Sequence, residues 1–318
     1  MELLRSPKVH ILLAAHNRAH LITETLTSII NQTYTNFKCL IVDDYSTDLT
    51  ESVVKEFVKK DSRFIYFHKT QKYKRGLPDT RNYGIDLALQ EGAEFITFFD
   101  DDDIMHPRKL ELQMQLFLDK KELDIVSCRY SGFSNSNFID FDSKSTEISV
   151  FSKKPAEDFL LRRIRIHSCG PVLRSHLFKK LRFDTELKYN AEEREFYLRV
   201  LFYHYPNYAA VLEPLFYYRH HAKSITTLSN RNIEKRGTDI IVDQKLWDFI
   251  SNESKINTRV LAYFIKQFAL DNFDVKYLNK TKEFAKNSTN LNVLDKVKIN
   301  SILKFHKLYR IIFYKLLQ

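Results

Sequence analysis

The feature that most constrains this chain is an alternation of two hydrophobic periods through its first hundred residues, each strand-like run stopping at or near a polar cluster. Val9-His10-Ile11-Leu12-Leu13-Ala14-Ala15 has the length and composition of a buried strand, and Leu21, Ile22, Leu26, Ile29 and Ile30 then fall at helical spacing up to Asn31. Phe37 to Asp43 predicts a second strand, and Thr47 to Lys60 a second helix with Val53, Val54, Phe57 and Val58 inward. Phe64 to Phe67 follows as a third strand. Pro78-Asp79 opens a third helix that carries Ile85, Leu87, Ala88 and Leu89 and closes near Gly92. Phe95 to Phe99 is a fourth strand and runs straight into four aspartates. Alternation at this pitch predicts an α/β domain with a mostly parallel sheet and helices on its faces. In such sheets ligands bind beyond the carboxyl ends of the strands. Those ends here carry His16-Asn17-Arg18, Asp43-Asp44 and Asp100 to Asp103, a site-like pattern.

Beyond Pro107 the spacing of Leu110, Met114, Phe117 and Leu118 predicts a helix, and Asp124 to Tyr130 a strand. Ser131 to Ser149, rich in Ser, Asn and Asp, reads as a long loop or weak hairpin. Residues 155–225 mix helices with short strands. After about Asn230 the pattern is helical, with Val260, Leu261, Phe264, Ile265 and Phe268 as its clearest stripe. A composition that is 44% hydrophobic and 14% aromatic excludes a disordered chain, and 318 residues suffice for a large core. Cys39, Cys128 and Cys169 form no C-x-x-C pair, which argues against a disulfide framework or a zinc site and predicts buried reduced thiols. No run of 18 apolar residues and no secretory signal is visible, so the expected location is cytoplasmic.

The run Phe98-Phe99-Asp100-Asp101-Asp102-Asp103 carries the strongest chemical signal. Four carboxylates at the end of an apolar strand repel one another unless a cation neutralises them, and closely spaced carboxylate oxygens suit Mg²⁺ or Mn²⁺. A solvated acidic loop is the competing reading, weakened by the strand-end position. An EF-hand is excluded by the missing glycine and distal glutamate. An acid at Asp43-Asp44 can accept hydrogen bonds from a ribose or a base N–H, while Ser46, Thr47 and Asp48 offer helix caps beside it.

In order and spacing, VHILLAAHNRAHLITETLTSIINQTY, CLIVDDYSTD, TRNYGIDLA and ITFFDDDDIMHPRKLELQ resemble glycosyltransferase family 2, over roughly residues 8 to 225. The resemblance implies a GT-A fold, Rossmann-like, with a C-terminal helical extension. It places the transferase domain at 1–230, with a nucleotide-binding half at about 1–105 and an acceptor half at about 106–230, and leaves 231–318 as a C-terminal helical region. It also implies roles. His16 stands where a ring, usually Tyr, stacks on the nucleotide base, with Ala14, Asn17 and Arg18 around it. Asp44 would bond the base N3–H, Arg81 would reach the nucleotide, and Asp100 with Asp101 would meet its ribose side. Asp102 would bind the metal that bridges the diphosphate, and Asp103 would be a neighbouring contact to donor sugar or metal. For Arg81 a solvated helix arginine is the competing reading.

Ala191 to Arg199 (AEEREFYLR) resembles the family's acidic motif, so Glu193 stands where the catalytic base is usually Asp, with Glu192 its competitor and a donor-sugar or acceptor contact. An ordinary acidic first turn of a helix gives the same pattern. Pro214 to Thr226 (PLFYYRHHAKSIT) resembles the family's closing segment, where His221 would reach the diphosphate or metal. The implied activity is metal-dependent, inverting transfer from a nucleotide-sugar, a UDP-sugar by family habit, to a hydroxyl of a glycan or lipid-linked acceptor in bacterial surface polysaccharide synthesis.

The net charge of +10 favours anionic partners. Between Asp295 and Gln318, Lys296, Lys298, Lys304, Lys307, Arg310 and Lys315 interleave with Ile302, Leu303, Phe305, Ile311, Ile312 and Phe313. A basic amphipathic helix of this kind suits the inner face of a plasma membrane as well as packing on the protein body. Two rival functions stand beside sugar transfer. A nucleotidyltransferase would want a glycine-rich phosphate loop, and LLAAHNRAH has no glycine. A nucleic-acid-binding protein would gather basic residues on one face, whereas the sharpest cluster here is acidic, so nucleic acid is not an expected partner.

Overall fold

A computed structural model of the chain describes residues 6–134, 149–187, 191–220, 234–251, 256–271, 274–288, 291, 295–301 and 303–304. His221 and the tail from Phe305 onward lie outside the described residues. The first half follows the expected alternation: β1 (Val9–Ala15), α1 (Ile22–Ile30), β2 (Phe37–Asp43), α2 (Thr50–Lys60), β3 (Phe64–His68), α3 (Leu77–Gln90) and β4 (Phe95–Asp100). Then come β5 (Ile104–Met105), α4 (Lys109–Asp119), β6 (Ile125–Ser134), α5 (Pro155–Leu160), β7 (Val172–Arg174), α6 (Ala191–His204) and β8 (Tyr208–His220). Helices α7 (Glu234–Ser251), α8 (Thr258–Lys266) and α9 (Val275–Asn287) follow.

The strands form one sheet in the order β3-β2-β1-β4-β7-β6-β8-β5. β1 pairs in parallel with β2 and β4, and β2 with β3, so Ala15 lies beside Asp43 and Ala14 beside Asp100. This register gathers the strand-end polar clusters along one sheet edge. The other half departs from a mostly parallel sheet: β7 is antiparallel to β4 and β6, and β5 to β8, while β8 runs parallel to β6. Residues 131–134, expected in a long loop or weak hairpin, continue β6 because each finds a partner on β8 (Ser131 opposite Tyr217, Ser134 opposite His220). Cross-strand pairing here overrides a turn-like composition.

Alternate residues of the central strands go to opposite faces. Leu12, Leu40, Ile96 and Phe98 pack with α3 and α6, whereas Ile11, Leu13, Ile41 and Phe99 pack with α1 and α4. The sheet is thus buried on both sides, which accounts for the nearly unbroken apolar runs of β1 and β4. At Gly84 helix α3 lies against β1, where a Cβ would sit at ordinary van der Waals distance, 3.6 Å, from Leu12. Trp247, Phe264 and Phe268 of the C-terminal region share the first of these cores with Phe196 of α6, and Ile299 is buried in it too. The C-terminal helices therefore share a core with the sheet and α6, and the start of the basic tail is anchored in it. Helix α2 begins at Thr50, three residues later than its pattern suggests. The Thr47 amide is spent on Asn17 Oδ1 (2.8 Å), and Asp48 Oδ1 accepts from the Thr50 amide (2.9 Å).

Candidate active site

The carboxyl ends of β1, β2 and β4 place His16, Asp44 and the aspartate run around one cleft. His16 donates its backbone N–H to Asp101 (2.9 Å), and its ring Nδ1 lies 2.9 Å from the Asp44 carbonyl oxygen. A carbonyl can only accept, so Nδ1 carries the proton, and Nε2 accepts from the Asn17 amide nitrogen at 3.4 Å. The ring is thereby fixed between the first and second strand ends. Asn17 takes φ +51°, a left-handed turn in which its amide N–H donates to Ser46 Oγ (2.9 Å) and its side chain holds Thr47.

The four aspartates separate into two inward and two facing the cleft. Asp101 is 8% and Asp103 0% exposed, while Asp100 and Asp102 stay half-buried. Asp101 accepts from the His16 amide and lies 3.2 Å from Arg18 Nε, close enough for an ion pair though not aligned as a hydrogen bond. Arg18 Nε also lies 3.6 Å from Asp102 Oδ2. Asp103, expected at the donor sugar or metal, is instead enclosed: it accepts from the Arg219 amide (3.0 Å) and from the Cys169 thiol (3.6 Å). Burial, and then the neighbouring Asp102, push the carboxyls of both Asp101 and Asp103 well above the usual range. Metal-binding capacity thus concentrates on Asp102 and Asp100, whose carboxylates supply hard oxygen donors toward the cleft.

Asp44 is nearly buried, and both its oxygens are engaged, one by Lys69 Nζ and the other by the Gly76 amide (2.8 Å). Lys69 is itself buried and donates to Thr80 Oγ1 (2.9 Å), which ties the end of β3 to the start of α3. Lys69 was not singled out from the sequence. Its position just past β3, at the same sheet edge as the other clusters, was the available signal.

Arg81 is neither a solvated helix arginine nor open to the cleft. It is 2% exposed, seated between the rings of Phe98 and Phe183. One Nη donates to Glu193 Oε1 (2.9 Å) and the other to Asp100 Oδ1 (2.9 Å). With one bond from each Nη, it orients two carboxylates. Burial opposes its charge, but Glu193 and Asp100 outweigh burial and hold it firmly protonated. In return, burial alone would raise Asp100, and the guanidinium overcomes this and keeps its carboxyl below the usual range.

Glu192 and Glu193 open α6 side by side and meet different surroundings. Glu193 keeps an exposed edge and pairs with Arg81, whereas Glu192 is 3% exposed and its Oε2 has no partner among the described residues. Burial first, then the adjacent Glu193, push the Glu192 carboxyl from 4.5 up to about 7. An acid raised in the folded state is stabilising while protonated in both states, and this stability is lost as pH rises from about 4.5 through about 7. Glu192→Gln is therefore expected to leave stability unchanged below pH 4.5 and to raise it by roughly 3 kcal/mol above pH 7, less the cost of an unpaired amide. Urea unfolding at the two pH values checks this, and equal stability of variant and wild type at high pH would contradict it.

Arg219, inside the quoted PLFYYRHH segment but not singled out, locks the aspartate run from behind. Its Nε donates to the Asp102 carbonyl (2.7 Å), its amide to Asp103, and its Nη2 to Glu24 (2.7 Å).

Among known proteins, the sequence model described as Glycosyl transferase family 2 matches residues 10–180. The chain is 31% identical over 205 residues to the GalNAc(5)-diNAcBac-PP-undecaprenol beta-1,3-glucosyltransferase of Campylobacter jejuni, covering 62% of this chain and 63% of that one. The first curated relatives are matched over between 16% and 67% of their own length. S. aureus TarS 1-349, solved in complex with UDP-GlcNAc, superimposes with a TM-score of 0.60 at 16% identity, over 88% of this chain and 81% of that one. The mannosyltransferase PcManGT from Pyrobaculum calidifontis, solved with GDP-Man and Mn²⁺, gives 0.57 at 17% identity, over 96% and 83%. At such identities the two structures establish the shared GT-A fold.

Proposed function

This chain belongs to glycosyltransferase family 2, and from that premise we propose that it transfers a sugar, with inversion, from a uridine diphosphate sugar to a hydroxyl of a glycan or lipid-linked acceptor in surface polysaccharide synthesis. The observation that carries this reading is the bridge made by Arg81, which joins Asp100 at the nucleotide side to Glu193 at the acceptor side at 2.9 Å each. Residues far apart in sequence thereby form one charged wall of a cleft. The Campylobacter relative's undecaprenol-linked substrate supports a lipid-linked acceptor, and TarS with UDP-GlcNAc supports the uridine donor.

In this reading His16 and Asn17 form the base end of the cleft, with His16 presenting a ring fixed by its hydrogen bonds. Asp100 meets the ribose side. Glu193 accepts the proton of the acceptor hydroxyl as it attacks, and Arg81, a positioning residue, sets the direction of that carboxylate. The half-buried carboxylates of Asp102 and Asp100 fit a hard divalent cation, for which PcManGT with Mn²⁺ is a precedent. When bound, Mg²⁺ or Mn²⁺ would neutralise charge on the departing diphosphate. Asp102→Asn is expected to abolish turnover and keep the wild-type melting temperature, because Asp102 is not part of the packed core. Activity in that variant, or in wild type with excess EDTA, would contradict the cation assignment.

A further inference from the structure

At the end of β4, Asp100, His167 and Cys169 bring one potential ligand atom each to within 4.8 Å of one another. We propose that these three side chains form a binding site for Zn²⁺, which shares Asp100 with the hard-cation position but takes its other ligands from His167 and Cys169 in place of Asp102. The donor types decide the ion. A thiolate and an imidazole are soft or borderline ligands that favour zinc over Mg²⁺ or Mn²⁺, and the carboxylate completes a three-residue set that leaves a fourth position open. Zinc bonds of about 2.0–2.3 Å place tetrahedral ligand atoms roughly 3.3–3.8 Å apart, so the present arrangement needs about an ångström of closure.

The ligands are held in place by their surroundings. The His167 ring packs against Tyr130, Phe216 and Tyr218 at 5.5, 5.1 and 5.4 Å between centroids, and its Nδ1 accepts only a long bond from the Cys169 amide, 3.3 Å. Cys169 is a free, fully buried cysteine whose thiol makes a 3.6 Å contact to Asp103. Asp100 offers Oδ1 to Arg81 and keeps part of its surface in the cleft, which gives an ion its route in. Between the two ligands in sequence, Ser168 Oγ is buried with no partner among the described residues, as is Glu192 Oε2 beside the same cluster. Unsatisfied buried oxygens of this kind mark a place for a water or ion. On binding, the thiol releases its proton to solvent and the thiolate takes the metal. Because the metal competes with Arg81 for Asp100, zinc is expected to inhibit sugar transfer; this consequence, unlike the site, rests on the function proposed above.

The site is tested on the full chain, stripped of metal and titrated with Co²⁺ as a spectroscopic stand-in for zinc. A thiolate-to-cobalt charge-transfer band that saturates near one equivalent and is displaced by Zn²⁺ is expected. It should vanish in Cys169→Ser, require at least tenfold more metal in His167→Gln, and persist in Cys128→Ser and Asp102→Asn. Circular dichroism confirms that each variant is folded. No band in the wild type, or a band that survives Cys169→Ser, overturns the site; loss in Asp102→Asn overturns the three-residue ligand set by making Asp102 a member of it. None of these readouts depends on sugar transfer, so the site and the proposed function fail independently.

Discussion

Replacing Glu193 by Gln is expected to lower the rate of transfer by roughly 10²–10⁴-fold, the usual worth of a positioned general base, while donor affinity measured by calorimetry stays near wild type. An acceptor alcohol gives up its proton reluctantly, and the amide of Gln keeps the shape of the side chain without accepting that proton. The geometry favours Glu193 over its neighbour: Glu193 holds a defined direction through Arg81 Nη1 at 2.9 Å and keeps an edge toward the cleft, whereas Glu192 is buried behind it. Glu192→Gln should accordingly retain transfer. If Glu193→Gln retains transfer and Glu192→Gln loses it, the roles are exchanged by one position. If both retain it, the base lies elsewhere.

The second large effect concerns folding. Arg81→Met removes the one cation shared by Asp100 and Glu193 at the base of the cleft, leaving two carboxylates in a poorly solvated wall. Removing one partner of a buried pair costs about 3–5 kcal/mol, and the partial exposure of Asp100 and Glu193 places the expectation at the lower end, about 3 kcal/mol by urea unfolding. Because the three groups act as a unit, Arg81→Met combined with Glu193→Gln should lose less than the sum of the two single changes. An Arg81→Met variant as stable as wild type would show that the bridge contributes nothing to stability.

Much of this site was legible in the sequence because strand ends are legible. Periodicity placed the ends of β1, β2 and β4, and the parallel register then carried His16, Asp44 and Asp100 to one edge. What could not be read was orientation. Four consecutive aspartates look equivalent on paper, yet the turn after β4 sends Asp101 to the His16 amide and Asp103 to the Arg219 amide, leaving Asp100 and Asp102 for the cleft. Arg81 was expected at the nucleotide, with a solvated helix arginine as the competing reading, and nothing local announces that Phe98 and Phe183 will close over it. Lys69 and Arg219 were missed for the same reason: each is a lone basic residue whose partners, Asp44 in one case and Asp102, Asp103 and Glu24 in the other, lie on other elements. The antiparallel pairings in the second half of the sheet could not be read because β5 and β7, two and three residues long, carry too little periodicity of their own and are placed by pairing across the fold.

Sugar transfer from a uridine donor is tested most directly by incubating the protein with a panel of nucleotide sugars, with and without divalent cation, and measuring release of nucleoside diphosphate. Cation-dependent release of UDP from at least one UDP-sugar, abolished in Asp102→Asn, is the expected result. Release confined to guanosine or other donors would contradict the uridine assignment. Release that is indifferent to both EDTA and Asp102→Asn would contradict the cation-assisted chemistry at the end of β4.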